Sequence, residues 1–152
     1  MDRIDRSILR ELERDGRLTN AELADRVGLT PSPCLRRVRQ LEESGVITGY
    51  RALLDPERVG AGFVAYVTVT MRYEDHDTIL EFERRVAEIP AVIEAHRLFG
   101  DPDYLLRIAV ADLQDYERLR TEVLLDLPGV AQLTSHLAMK EVKPYRGYLT
   151  GN

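Results

Sequence analysis

Apolar residues recur at helical spacing through the first fifty positions. Ile4, Ile8, Leu9 and Leu12 form one stripe and predict a helix across 2–15, capped by Asp2 and ended by Gly16. Thr19 and Glu22 stand at capping-box spacing, so a second helix should start at Asn20 and run through AELADRVG, burying Leu23, Ala24 and Val27. Gly28 supplies the positive φ at which that helix stops. Thr30 is placed to cap a third helix, and Pro31 takes its first position, where a missing N–H costs nothing. This helix buries Cys34, Val38 and Leu41 and ends at Gly45. Its other face carries Ser32, Pro33, Arg36, Arg39 and Gln40, with Arg37 at the boundary. The order is that of a three-helix, winged-helix-like helix-turn-helix domain, and the polar face of its last helix is the candidate reader of double-stranded DNA.

Beyond Gly45 the segments VITGY and RALLD are β-like around Gly49, suiting either a small wing or an extended connector. Asp55-Pro56 and Gly60-Ala61-Gly62 punctuate the chain, and the domain boundary is placed there. The second half repeats itself: Ile89-Pro90-Ala91-Val92 returns as Leu127-Pro128-Gly129-Val130, each copy closing a helical pattern and opening a strand pattern. The first helix is marked by Ile79, Phe82, Val86 and Ile89. The second, capped by Asp112, is marked by Leu113, Tyr116, Leu119, Val123 and Leu127. A β-rich run precedes each, at 63–71 and 104–111. Two βαβ units side by side predict a ferredoxin-like βαββαβ domain, so the fold class is α+β. The expected organisation is a DNA-binding domain at 1–48, a β connector at 49–61, the ferredoxin-like domain at 62–142 and a tail at 143–152.

In the first strand Phe63, Ala65, Val67, Val69 and Met71 suit packing under helices. The opposite set, Val64, Tyr66, Thr68 and Thr70, is uncharged and partly apolar, unlike a face meant for water. In the last strand Leu133, Leu137 and Met139 oppose Val130, Thr134 and Ala138, and both sets are partly apolar. A single-layer sheet with such a second face calls for a partner. RNA would ask for aromatic and basic residues there, and only Tyr66 answers, so a second copy of the same sheet is the preferred occupant. A homodimer also suits a helix-turn-helix, which reads paired half-sites.

Charge sharpens this picture. The chain carries a net charge of −5, yet residues 1–50 balance nine arginines against nine acids, and Arg26 to Leu41 holds four arginines and no acid. Positive charge is therefore concentrated where phosphates would lie. No apolar run is long enough to span a membrane, the N-terminus begins as a charged amphipathic helix, and a cytoplasmic protein is expected. The single cysteine excludes an internal disulfide and a cysteine-cluster metal site, and Cys34 reads as a small buried hydrophobe.

These segments resemble, over nearly the whole chain, the leucine-responsive/asparagine-responsive (Lrp/AsnC, or feast/famine) transcription regulators. The likeness rests on DRIDRSILRELERDGRLTNAELADRVGLTPSPCLRRVRQLEESGVITGY, LLDPERVG, the IPAV strand start, GDPDYLL and LPGVAQLTSHLAMKEVK. It implies dimers formed through sheet faces, often assembled as an octamer of four dimers around which DNA bends. It implies too that a small free amino acid binds between dimers, near the turn linking the module's second and third strands. Here that turn is Gly100-Asp101-Pro102-Asp103-Tyr104. A glycine lets a ligand carboxylate approach backbone N–H groups, and Asp101 or Asp103 can pair with an ammonium. Thr134 and Ser135 are implied to line the same site from a neighbouring dimer. By chemistry alone, Gly, Asp and Pro are also ordinary turn residues. On the DNA side, Thr30 and Ser32 are expected to meet phosphate, and Arg36 and Arg39 base edges or groove phosphates. Arg37 either joins them or pairs with Glu42 or Glu43.

Catalysis is not expected. His76, His96 and His136 fall in a loop and two strands without metal spacing, Cys34 lies in the other domain, and Gly60-Ala61-Gly62 lacks the lysine and helix of a phosphate loop. No cofactor or metal is expected beyond the amino-acid effector. The closer alternative is an effector-independent architectural protein of the same fold, which bends or compacts DNA.

Overall fold

The Thr19–Glu22 capping box closes as its spacing predicts: Glu22 N donates to Thr19 Oγ1 at 3.3 Å, and Thr19 N to Glu22 Oε2 at 2.8 Å. A second box forms where the sequence suggested only a cap. Asp5 N donates to Asp2 Oδ1 at 2.9 Å and Asp2 N to Asp5 Oδ2 at 2.8 Å. Each cap satisfies backbone donors that the first helical turn leaves unpaired, a gain of about 1 kcal/mol. These boxes open α1 (Arg3–Arg14) and α2 (Asn20–Arg26). Gly28, at φ +70°, turns the chain into α3 (Pro31–Glu43). Thr30 occupies the cap position of α3, but its side chain makes no cap bond. The structure is a computed structural model that describes residues 1–72, 75–145 and 147–149.

Two compact units result: Met1–Leu53 with the tail from Val142 onward, and Leu54–Glu141. In the first, Ile8, Leu9, Leu23, Ala24, Cys34 and Leu41 form the buried core, with Ile4, Leu12, Val27 and Val38 packed on it. No strand forms across 46–62, so the wing reading of that stretch gives way to the connector. Ile47 N donates to Leu41 O at 3.0 Å, closing the end of α3, and Tyr50 Oη donates to the Glu42 carboxylate at 2.9 Å. The tail, for which the sequence suggested no role, returns to α1. Both oxygens of Glu13 accept backbone N–H groups, from Tyr148 and from Leu149, each at 2.8 Å, and Leu149 packs on the core. Gly147 is needed for this approach: its φ is +101°, and a Cβ there would lie 2.6 Å from Glu13 Cδ. The end of the expected tail, 150–152, lies outside the described residues.

The second unit is one antiparallel sheet under two helices. Its elements are β1 (Phe63–Met71), α4 (His76–Ala87), β2 (Val92–Arg97), β3 (Tyr104–Val110), α5 (Leu113–Glu122) and β4 (Val130–Leu137), in spatial order β2-β3-β1-β4. This is the ferredoxin-like arrangement that the repeat predicted. His76, read as a loop residue, opens α4 instead, because Asp75 caps that helix by accepting from Thr78 N. Period-two alternation sends Ala65, Val67 and Val69 of β1 and Tyr104, Leu106 and Ile108 of β3 inward, against Phe82, Val86, Tyr116 and Leu124. No helix of the described residues is long and apolar enough to cross a membrane.

Tyr104 illustrates how the helix layer locks on. Its ring centroid lies 4.6 Å from that of Phe82, and its hydroxyl donates to Glu83 Oε1 at 2.9 Å. Burial, and then the Glu83 carboxylate, push its phenol up to about 12; burial and Glu42 do the same to Tyr50. A phenol raised above its ordinary value near 10 contributes stability in full below that pH, and loses it as pH climbs towards 12. Tyr104→Phe is therefore expected to flatten part of the fall in stability between pH 10 and 12, as read by urea unfolding at a series of pH values. For the tail, Glu13→Ala is expected to lower stability by about 1 kcal/mol and to speed hydrogen exchange at the Tyr148 and Leu149 amides. Unchanged exchange at both would contradict the Glu13 clamp.

Candidate DNA interface and effector turn

The outer face of α3 presents Ser32, Leu35, Arg36, Arg39, Gln40 and Glu43 along one shallow depression, spaced three and four apart as one helix face requires. Pro31, Ser32 and Pro33 are exposed at its N-terminus; the two prolines carry no N–H and Cys34 N bonds Thr30 O, so the Ser32 N–H and hydroxyl, with the helix dipole, are what this end offers a phosphate. Thr30, having no cap bond, keeps its hydroxyl for such a contact. Asn20 Nδ2 donates to Pro31 O at 2.8 Å and so ties the start of α2 to the start of α3. Two members of the face went unread in the sequence. Leu35 is 38% exposed, and Glu43 adds a negative charge at the far end. Both were legible from their spacing to Ser32 and Arg39.

Ion pairing sorts the arginines of this unit. Arg14 and Arg26 each lie 3.1 Å from Glu11, and Arg37 lies 2.8 Å from Asp2 and 2.7 Å from Asp5. Among the described residues, Arg36 and Arg39 pair with no acid, and neither do Arg3, Arg6, Arg10, Arg17 and Arg51; Arg36 and Arg39 are the two on the outer face of α3. Arg37 forms an ion pair within the unit, as one of the two expectations had it, but its partners are Asp2 and Asp5 at the start of α1 and not Glu42 or Glu43. The Asp5 backbone N–H, and then Arg37, hold the Asp2 carboxyl below the ordinary carboxylate range.

The effector candidates divide between the turn and the two sheet faces. Gly100, at φ +107° with open space where a Cβ would stand, and Asp101 are exposed on the β2–β3 turn. Asp103 is occupied: its Oδ2 accepts Met71 N at 2.6 Å and its backbone N–H donates to Val69 O at 2.9 Å. It anchors the turn to β1 through one carboxylate oxygen. Tyr104 is buried beneath α4 rather than facing the turn, because it shares the parity of Leu106 and Ile108. Thr134 and Ser135 are neighbours on β4 and therefore point to opposite faces. Ser135 hydrogen-bonds the Tyr116 hydroxyl under α5, while Thr134 lies opposite Thr68 on the open face. Two unforeseen residues connect the turn to Thr134. Thr70 Oγ1 donates to Asp101 Oδ1 at 3.4 Å, and Gln132, opposite Thr70, donates to Thr134 Oγ1 at 3.4 Å.

The open face itself is more polar than β1 suggested. Tyr66 lies between Arg107 of β3 and His136 of β4, and Arg107 pairs with Glu94 of β2 at 3.3 Å. That row is drawn from four strands, and no single strand displays it. Among the described residues no group of three His, Cys, Asp or Glu could hold a metal ion.

Comparison with known proteins accords with both halves. Residues 1–48 match the model of a winged helix-turn-helix DNA-binding family, and residues 64–148 match that of the Lrp/AsnC ligand-binding domain. The leucine-responsive regulatory proteins of Escherichia coli K12 and Salmonella typhimurium LT2 are each 46% identical over 143 residues, covering 94% of this chain and 87% of theirs. Among solved structures, a transcriptional regulator from Neisseria meningitidis in complex with L-Met has a TM-score of 0.93 at 38% identity, covering 99% of this chain and 97% of its own. An AsnC family regulator from Agrobacterium tumefaciens has a TM-score of 0.92 at 36% identity, covering 97% and 96%. With the helix-turn-helix in one half and the ligand-binding module in the other, the chain belongs to the Lrp/AsnC family of effector-responsive, DNA-binding transcriptional regulators.

Proposed function

We propose that the protein acts in the cytoplasm as a homo-oligomer, a binding protein rather than an enzyme, whose helix-turn-helix pairs read a roughly palindromic site. The observation that carries the DNA side is the outer face of α3, where Arg36 and Arg39 stand exposed beside Ser32 and Gln40 without an acid partner among the described residues, while Arg37 between them is neutralised within the unit. Thr30, Ser32 and Pro33 then meet phosphate at the helix N-terminus, while Arg36, Arg39 and Gln40 reach the groove. Dimers form through the open sheet face, whose exposed Tyr66 and half-buried Leu105 and Ala109 favour contact with a like surface. An octamer of four dimers is the assembly on which the effector acts.

The effector is a free amino acid, its carboxylate at the Gly100 backbone and its ammonium at Asp101, with Thr70, Gln132 and Thr134 completing the polar lining. Leu98 and Phe99, exposed beside the turn, favour an apolar side chain. The L-Met in the Neisseria structure and the name of the leucine-responsive relatives support that class. Binding shifts the assembly, and with it the spacing of the readers, only as far as the effector prefers one assembly over the other.

Thermal unfolding against each of the twenty amino acids tests the sensor. A ligand at about 100 times its Kd adds roughly 2.7 kcal/mol. Leucine or methionine is expected to raise the midpoint, and Asp101→Ala to abolish the rise; silence across the panel would favour the architectural alternative. For the reader, Arg36→Ala is expected to cost about 1–3 kcal/mol of affinity for a duplex selected in vitro by the full-length protein. The melting midpoint should stay unchanged, and undiminished affinity would remove Arg36 from the interface.

A further inference from the structure

Arg37 closes a ring of four hydrogen bonds. Each carboxylate of the α1 capping box spends one oxygen on the partner's backbone N–H, leaving the other for Arg37. Asp2 uses Oδ1 for Asp5 N, and Asp5 uses Oδ2 for Asp2 N. Arg37 Nη1 donates to the remaining two, Asp2 Oδ2 at 2.8 Å and Asp5 Oδ1 at 2.7 Å. The carboxylates cannot swing with the guanidinium, because the cap pins them to the first turn of α1.

Apolar contacts of Cys34 and Leu41 hold α3 against the other helices but are non-directional. A charged bridge between fixed groups is directional, and this one sits on the residue next to Arg36 and two before Arg39. Bidentate reading of a base edge tolerates errors of only about 0.5 Å or 10–20°. A guanidinium facing two carboxylates also offers little to a phosphate, which would meet Asp2 and Asp5 beside it.

We propose that Arg37 is a positioning residue: by bridging Asp2 and Asp5 it sets the roll of α3 and so the aim of Arg36 and Arg39, without touching DNA. Specificity then depends on a clamp at the N-terminus of α1. The inference rests on α3 being the reader.

The test uses the full-length protein, an in-vitro-selected duplex and a random-sequence duplex of equal length, with binding measured by fluorescence anisotropy across a salt series. Arg37→Ala is expected to lower the selected-to-random affinity ratio about tenfold or more, with the slope of log affinity against log salt unchanged. A lost phosphate contact would instead lower affinity for both duplexes alike and reduce the salt slope by about one. Asp5→Asn leaves the arginine in place and is expected to lower the same ratio, and the double variant to be no worse than either single one. A slope reduced by about one in Arg37→Ala, or an unchanged ratio in Asp5→Asn, overturns the proposal. Should Arg37→Ala fail to fold by circular dichroism, Arg37→Lys and Asp5→Asn carry the measurement. Arg36→Ala and Arg39→Ala run alongside. If neither alters binding, the reading of α3 fails; if they do and the Arg37 and Asp5 ratios hold, only the clamp fails.

Discussion

Three carboxylates, the α1 cap Asp2 with Asp5 and Glu11 of α1, hold three arginines of the DNA-binding unit in place. Asp2 and Asp5 take Arg37, Glu11 takes Arg26 and Arg14, and Arg36 and Arg39 are left facing outward. Among the described residues the fully buried part of this unit's core is six side chains, one of them an alanine and one a cysteine, with partly buried hydrophobics packed around them. So small a core supplies attraction but little orientation. Directional contacts do the orienting: the Asp2–Asp5–Arg37 ring, the Glu11–Arg26 bridge and the bond from Asn20 to the Pro31 carbonyl. The tail adds a further one through Glu13, which makes a unit assembled from both ends of the sequence.

The ferredoxin-like module works the other way. Its core is large and continuous, with β1 at the centre of the sheet and both helices on one side. Here packing orients, and polar residues are released to the edges. Asp103 is one of the polar groups that stay in structural use, holding the β2–β3 turn against the end of β1. That anchor is what lets Gly100 and Asp101 stand exposed on a defined turn. The open face combines Tyr66, Arg107, His136 and Glu94 in one row, a mixed surface and not a uniformly apolar one.

Local signals were enough for the element order. Capping spacing set the starts of α1 and α2, proline and glycine placed the turn into α3, and period-two alternation named the inward residues of β1. The repeat of Ile89–Val92 at Leu127–Val130 was enough for the βαββαβ topology, since two such units in one sheet have few ways to pair. The outward face of α3 was legible for the same reason: a helix of known start and period has only one polar side.

What the sequence by itself determined, then, was everything carried by neighbours within a helical turn or a strand pair: the elements, their faces and the reader's polar stripe. Only the tertiary structure decided which charges are spent. Arg37 lies 32 and 35 positions from its partners, Asp103 lies 32 from Met71, and Glu13 lies 135 and 136 from the tail amides it holds. The partners of Tyr104 and Ser135, Glu83 of α4 and Tyr116 of α5, were likewise set only once helices covered one face of their strands. A carboxylate or hydroxyl has the same local sequence signature whether it meets a ligand, a phosphate or its own backbone. Its partner is fixed by how distant segments are brought together, and periodicity carries no record of that.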